Sequence, residues 1–163
     1  MLISAAMSAK LNEQVTAEFF AAHKYRAMAC ALEAKGLKNL AKRFLQQYEE
    51  ELKHGNKIIR YLHDVGAAVA LDAIPKPSPD CSSVKSMVQA ALEGEMDITR
   101  RIHALVALAE SEKDYATQEF LQWFVDEQVE EVATMTQLQK IVDLAGPNVL
   151  QAEAYMRHEI GES

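Results

Sequence analysis

Cysteine is nearly missing from this chain: Cys30 and Cys81 are the two in 163 residues, far apart and without Cys-x-x-Cys spacing. That argues against a thiolate zinc site or a rubredoxin-type iron site, and the pair reads as reduced thiols or at most one disulfide. Glycine (6) and proline (4) are too few for a chain of many turns, so each one present marks a boundary. Positive charge is in deficit, with 17 Lys and Arg against 24 Asp and Glu, a net −7. Nucleic acid and anionic membrane are therefore excluded as partners, and cations are attracted. The opening stretch MLISAAMSAKLNEQ is too short in apolar residues for a signal peptide or a membrane span, which points to the cytoplasm. What the chain does contain is Ala, Leu, Glu, Lys and Gln, the composition of helix, at a length (residues 1–163) that suits one domain.

The scarce glycines and prolines divide the chain into helices. One runs from about Ser8 to Lys35 and stops at Gly36; a second runs from about Leu37 to Val65 and stops at Gly66. Ser82 and Ser83 cap a third that reaches about Glu110. Asp114 caps a fourth that ends near Ala145, before Gly146 and Pro147, and a short amphipathic fifth covers Asn148 to about Glu159. Tight links join the first helix to the second and the third to the fourth, so each pair is antiparallel. The segment from Gly66 to about Ser82 is long and holds Pro75, Pro77 and Pro79. A helix of this size spans on the order of 40 Å, which about 16 extended residues can cover. The expectation is an all-α four-helix bundle with one crossover along its length, including a short strand-like stretch at Val69, Leu71 and Ile74.

Steps of three and four trace the core stripe of each helix. The first reads Leu11, Val15, Glu18, Ala22, Tyr25, Ala29, Leu32; the second Phe44, Gln47, Glu51, His54, Ile58, Tyr61, Val65. The third reads Val84, Val88, Ala91, Glu95, Ile98, Ile102, Leu105; the fourth Phe120, Phe124, Glu127, Glu131, Met135, Leu138, Val142. Every stripe is broken near its middle by glutamate, and no Lys or Arg lies on any of them to neutralise it. In a single helix this would be a matter of register, since Glu49, Glu50 and Glu51 are consecutive and one must point inward. Four helices doing so at one depth require a multivalent cation, because unpaired buried carboxylates cost several kcal/mol or take up protons. Carboxylate oxygens with one imidazole suit iron or manganese and tolerate zinc. Glu51-x-x-His54 places both groups on one helix face, about 60° apart, an arrangement found in di-iron carboxylate bundles.

At these residues the chain resembles the ferritins, specifically the non-haem bacterial and archaeal type. The similar motifs are LNEQVTAEF (Leu11–Phe19), YEEELKH (Tyr48–His54), EKDYAT (Glu112–Thr117) and FLQWFVDEQVEE (Phe120–Glu131), and likeness extends over nearly the whole chain. The resemblance implies a ferroxidase centre of Glu18, Glu51, His54, Glu95 and Glu131, with Glu51 bridging two irons. It places Gln128 by the second iron and Tyr25 beside the centre, and implies a third iron site from Glu50, Glu127 and Glu130 with Glu131 shared. Trp123 matches an aromatic of the same motif, and bulky packing accounts for it equally well. Fe(II), with O₂ or H₂O₂, is the implied substrate; the implied assembly is a hollow shell of 24 subunits in which the fifth helix lines a channel. Haem is not implied: the fourth helix has Glu130 where the haem-binding branch has a second histidine, and Leu52 stands where that branch has its methionine. His23, His63, His103 and His158 are read as surface residues, Asp114 as a cap and Glu119 as a solvated face.

Overall fold

Residues 2–161 are described by a computed structural model, and among them lie α1 (Ala5–Ala34), α2 (Lys38–Asp64), α3 (Val84–Glu112), α4 (Tyr115–Ala145) and α5 (Val149–Gly161). Met1, Glu162 and Ser163, which the expected 1–163 domain includes, fall outside the described residues. α1 begins three residues earlier than the sequence reading: Ser4 caps it by accepting the amide of Met7 at 2.9 Å, and Met7 is fully buried. Gly36 and Gly66 end α1 and α2 by one device. Each has positive φ, and the next residue's N–H reaches back five positions, Leu37 to Leu32 and Ala67 to Leu62. Lys113 plays the same part after α3 at φ 54°, with Asp114 N–H on Ala109 O. Ser83 and Asp114 are the caps of α3 and α4, as their positions predict.

Two apolar clusters fill opposite ends of the bundle. One gathers Leu32, Leu37, Phe44, Met87 and Met135 with Ala152 and Met156 of α5. The other gathers Met7, Leu11, Ile58, Leu62, Ile102 and Phe124. Burying each large side chain contributes about 1.5–3 kcal/mol. α2 starts in the first cluster at Leu40 and ends in the second at Leu62; α3 starts in the first at Val84 and ends in the second at Ala109. The two helices are therefore parallel, and the chain between them must travel the length of the bundle. The strand-like stretch expected at Val69, Leu71 and Ile74 does not form: residues 67–81 are irregular, and no strand occurs among the described residues. Asn12 of α1 takes the backbone groups a strand would need, donating to Ala68 O at 3.1 Å and accepting Ala70 N–H at 2.7 Å. Among the described residues no helix is long and apolar enough to cross a membrane.

Candidate metal centre

Between the two apolar clusters the core turns polar. Glu18 on α1, Glu51 and His54 on α2, Glu95 on α3, and Gln128 and Glu131 on α4 are all buried, Glu18 and Glu51 completely. One helical repeat puts each at the same height as the others, because each follows the apolar residues of one cluster and precedes those of the other along its own stripe. Among the described residues no buried side chain is Lys or Arg.

Ligand atoms of Glu18, Glu51 and His54 lie within 4.8 Å of one another, and so do those of His54, Glu127 and Glu131. His54 belongs to both groups: Nδ1 is 3.5 Å from Glu51 Oε2, and Nε2 is 4.0 Å from Glu127 Oε1. Glu95 is in neither group. Its Oε1 accepts the Tyr25 hydroxyl in a short hydrogen bond, and its Oε2 lies 3.4 Å from Gln128 Nε2. Gln128 also donates to Glu95 O and Thr99 Oγ1, both at 3.2 Å, so α3 and α4 are tied together beside the centre.

The remaining hydrogen bonds divide the carboxylate oxygens into held and free. Gln14 Nε2 donates to Glu18 Oε1 at 2.8 Å, and Gln47 Nε2 donates to Glu131 Oε2 at 2.6 Å. Glu18 Oε2, Gln47 Oε1 and both oxygens of Glu51 are buried and accept nothing from the chain. Each unsatisfied buried acceptor costs about 1–3 kcal/mol, more when charged. An ionised carboxylate only accepts, so the facing Glu18 and Glu51 need a proton or a cation between them.

The titration behaviour agrees. Burial first, then the charge of Glu51, holds the Glu18 carboxyl well above its usual range. Burial and the charge of Glu95 do the same to Glu51, and push Glu131 up to about 7. Glu95 is raised by burial, against the opposing hydrogen bonds from Tyr25 and Gln128. Burial and Glu95 also raise the Tyr25 phenol, which therefore stays protonated and donates. Four raised carboxyls around one point make a trap for a cation that can replace their protons.

The fourth helix differs from its expected stripe. Phe124, Gln128 and Glu131 are the buried sequence there, and Glu127 sits at the rim with 28% of its side chain exposed. Phe120 and Tyr61 are likewise only half-buried, stacked on each other at 3.9 Å. Glu50 is half-buried and lines a groove between α2 and α4; Glu130 is exposed. Trp123 packs edge-on to His54 at 5.5 Å beneath Lys57, so the packing role suffices for it. Asp114 caps α4 at Thr117 N, Glu119 is exposed, and His23, His63, His103 and His158 are all exposed. Gln14 and the donor role of Gln47 were not foreseen. The available signal was the spacing, since each glutamine stands four residues before a buried glutamate on the same helix, at Gln14–Glu18 and Gln47–Glu51.

The chain as a whole is similar to known proteins in sequence and in fold. The family model described as "Ferritin-like domain" matches residues 8–144. The chain belongs to the ferritin family. It is 42% identical to a bacterial non-heme ferritin of Staphylococcus epidermidis over 133 residues, 82% of this chain and 80% of that one. It is 44% identical to a bacterial non-heme ferritin of Staphylococcus aureus over 123 residues, 76% of this chain and 74% of the other. In structure it is similar to an open pore ferritin of the archaeon Archaeoglobus fulgidus, with TM-score 0.93, 35% identity and 96% of each chain covered. Iron storage is the function of this ferritin, and the polar layer in mid-core is where its chain departs from a purely structural bundle.

Proposed function

We propose that this ferritin stores iron by first oxidising Fe(II) at the centre between its helices, with Fe(II) as substrate and O₂ or H₂O₂ as oxidant. The observation that carries the reading is the set of buried oxygens without donors at Glu18 and Glu51, next to His54, in a core that holds no buried cation among the described residues. Glu18 and His54 hold one iron, Glu95 and Glu131 the other, and Glu51 bridges both with its two free oxygens. Gln128 and Tyr25 steady Glu95. Two Fe(II) give one electron each, so O₂ takes two electrons and two protons together and leaves as hydrogen peroxide. Carboxylates lower the energy of Fe(III) more than that of Fe(II), which favours the oxidation. Iron binding displaces the carboxyl protons from the interior.

Glu127 and Glu131 beside His54, with Glu50 and Glu130 nearby on α2 and α4, offer a third position through which iron passes onward. Fe(III) then hydrolyses in the interior of a shell of identical chains, 24 in number, in the cytoplasm, without haem. The exposed apolar side chains Leu71, Leu144 and Leu150 are surface that such an assembly would cover. The chain acts as one ferritin-like domain over residues 1–163.

The test is aerobic Fe(II) loading followed by gel filtration. Tens of irons or more per chain, eluting with a very large particle, is the expected outcome. Two or three irons per chain would leave the metal centre standing and remove storage; none would remove both.

A further inference from the structure

Among the buried groups around the centre, Gln47 is the one that packing explains least. It is fully buried in α2 between the apolar cluster that holds Phe44 and the polar layer. Its neighbour one helical turn onward is Glu51, yet its amide does not serve that residue. Nε2 reaches across to α4 and donates to Glu131 Oε2 at 2.6 Å. The amide orientation is fixed by this contact, because turning it round would set its carbonyl against a carboxylate, acceptor to acceptor. Its Oε1 is therefore left buried and without a donor. For stability alone, a methionine of similar volume would fill the site without an orphaned carbonyl.

Glu131 is also the carboxylate with the most choices. It lies within reach of His54 and the rim residue Glu127, and it feels the charges of both Glu95 in the interior and Glu50 toward the rim. A neutral donor on one of its oxygens holds it inward without cancelling its charge, as a lysine would. We propose that Gln47 is a positioning residue for the second iron: its amide holds one oxygen of Glu131 and so fixes how that carboxylate is presented to the centre. The proposal rests on the ferroxidase reading of the centre.

The test uses the assembled protein, freed of metal by chelation and titrated with Co(II), whose visible bands report each ion bound. The parent binds two ions per chain in the centre. In Gln47→Met the first ion, on Glu18 and His54, keeps its affinity, while the second is weakened by about tenfold, the range expected when a group that orients a metal ligand is lost. Gln47→Asn retains a buried amide that is one methylene too short to reach Glu131, and it behaves like the methionine variant. The coupling is read in Fe(II) oxidation: Gln47→Met slows the parent by about tenfold but adds under about twofold to Glu131→Gln, because it acts through that residue. Parental affinity for both Co(II) ions in either folded variant, or a full tenfold effect of Gln47→Met in the Glu131→Gln background, overturns the proposal. A parent that binds no Co(II) pair overturns instead the ferroxidase reading beneath it.

Discussion

Glu153 of α5 caps α2: its Oε1 accepts the amide of Asn39 at 2.7 Å and its Oε2 that of Leu40 at 2.9 Å. α2 has no cap of its own, since Leu37 precedes it and offers no side-chain acceptor. A carboxylate at a helix N-terminus also meets the positive end of the helix dipole. The short last helix is thus docked by a charge as well as by Ala152 and Met156 in the core. Glu153→Ala should lower stability by about 1 kcal/mol, the usual worth of a cap, and expose α5 to protease. Urea unfolding with limited proteolysis checks both; an unchanged midpoint and an uncut C-terminus would show that apolar docking suffices.

Asn12 has the corresponding role for the crossover. Its side chain donates to Ser8 O and Ala68 O and accepts Ala70 N–H. Removing it hands two backbone groups of exposed loop residues to water, so Asn12→Ala should destabilise by about 1 kcal/mol, the net worth of an ordinary hydrogen bond. Amide exchange in residues 67–72 should rise more than in the helices. Uniform exchange changes across the chain would argue against a local clamp.

Periodicity made most of this legible in advance. Every residue on the stripes that steps of three and four trace along α1 and α3 is buried, while the full buried faces are wider and also take in Gln14 and Met28 on α1 and Met87 on α3. On α4 the same rule allowed two routes from Phe124 to Glu131, through Glu127 or through Gln128. Both make seven residues in two steps, and only packing against α3 chooses Gln128. α1 starts earlier than its periodic stripe, because the Ser4 cap and the burial of Met7 add residues ahead of Leu11. Gln14 and Gln47 were hidden for a different reason. A glutamine four residues before a glutamate is commonplace on helix surfaces, and only the depth of the pair and the distance across to Glu131 give it meaning.

Gly55 adjoins His54 and faces Phe19. A Cβ there would stand 2.5 Å from Phe19 Cε1 and 2.8 Å from Cδ1, so the ring must move. Gly55→Ala should cost about 1–3 kcal/mol, as overpacking does, although alanine favours helix. A thermal midpoint at or above the parent's would mean that the ring turns away freely.

Glu18→Ala and His54→Ala test the centre from the other direction. Each removes a ligand of the proposed first iron, and oxidation should slow by more than the roughly 10–100-fold that follows loss of a merely supporting group. The fold should survive, because Glu18 is a buried carboxyl with one oxygen unsatisfied and its loss relieves repulsion with Glu51. Stopped-flow oxidation and circular dichroism read the two halves. Parental rates in either variant would displace the reaction from this site.

Glu131 links the stability of the metal-free protein to pH. Burial, followed by the charge of Glu95, moves its carboxyl from 4.5 up to about 7. Between these values the folded chain binds more proton than the unfolded chain. The stability contributed by the protonated group is therefore complete below about 4.5 and is lost as pH rises through about 7. Glu18 and Glu51, held well above their usual range by burial, act in the same direction. Glu131→Gln abolishes this titration at nearly constant volume, so the metal-free variant should gain on the parent between about pH 5 and about pH 8. Urea midpoints in chelator at the two pH values measure the gain. The same protons must leave when a divalent ion enters, so Zn(II) should release protons from the parent and bind more tightly as pH rises through this window. Equal midpoint differences at both pH values, with Zn(II) binding that releases no proton, would mean that these carboxyls are already ionised in the metal-free core.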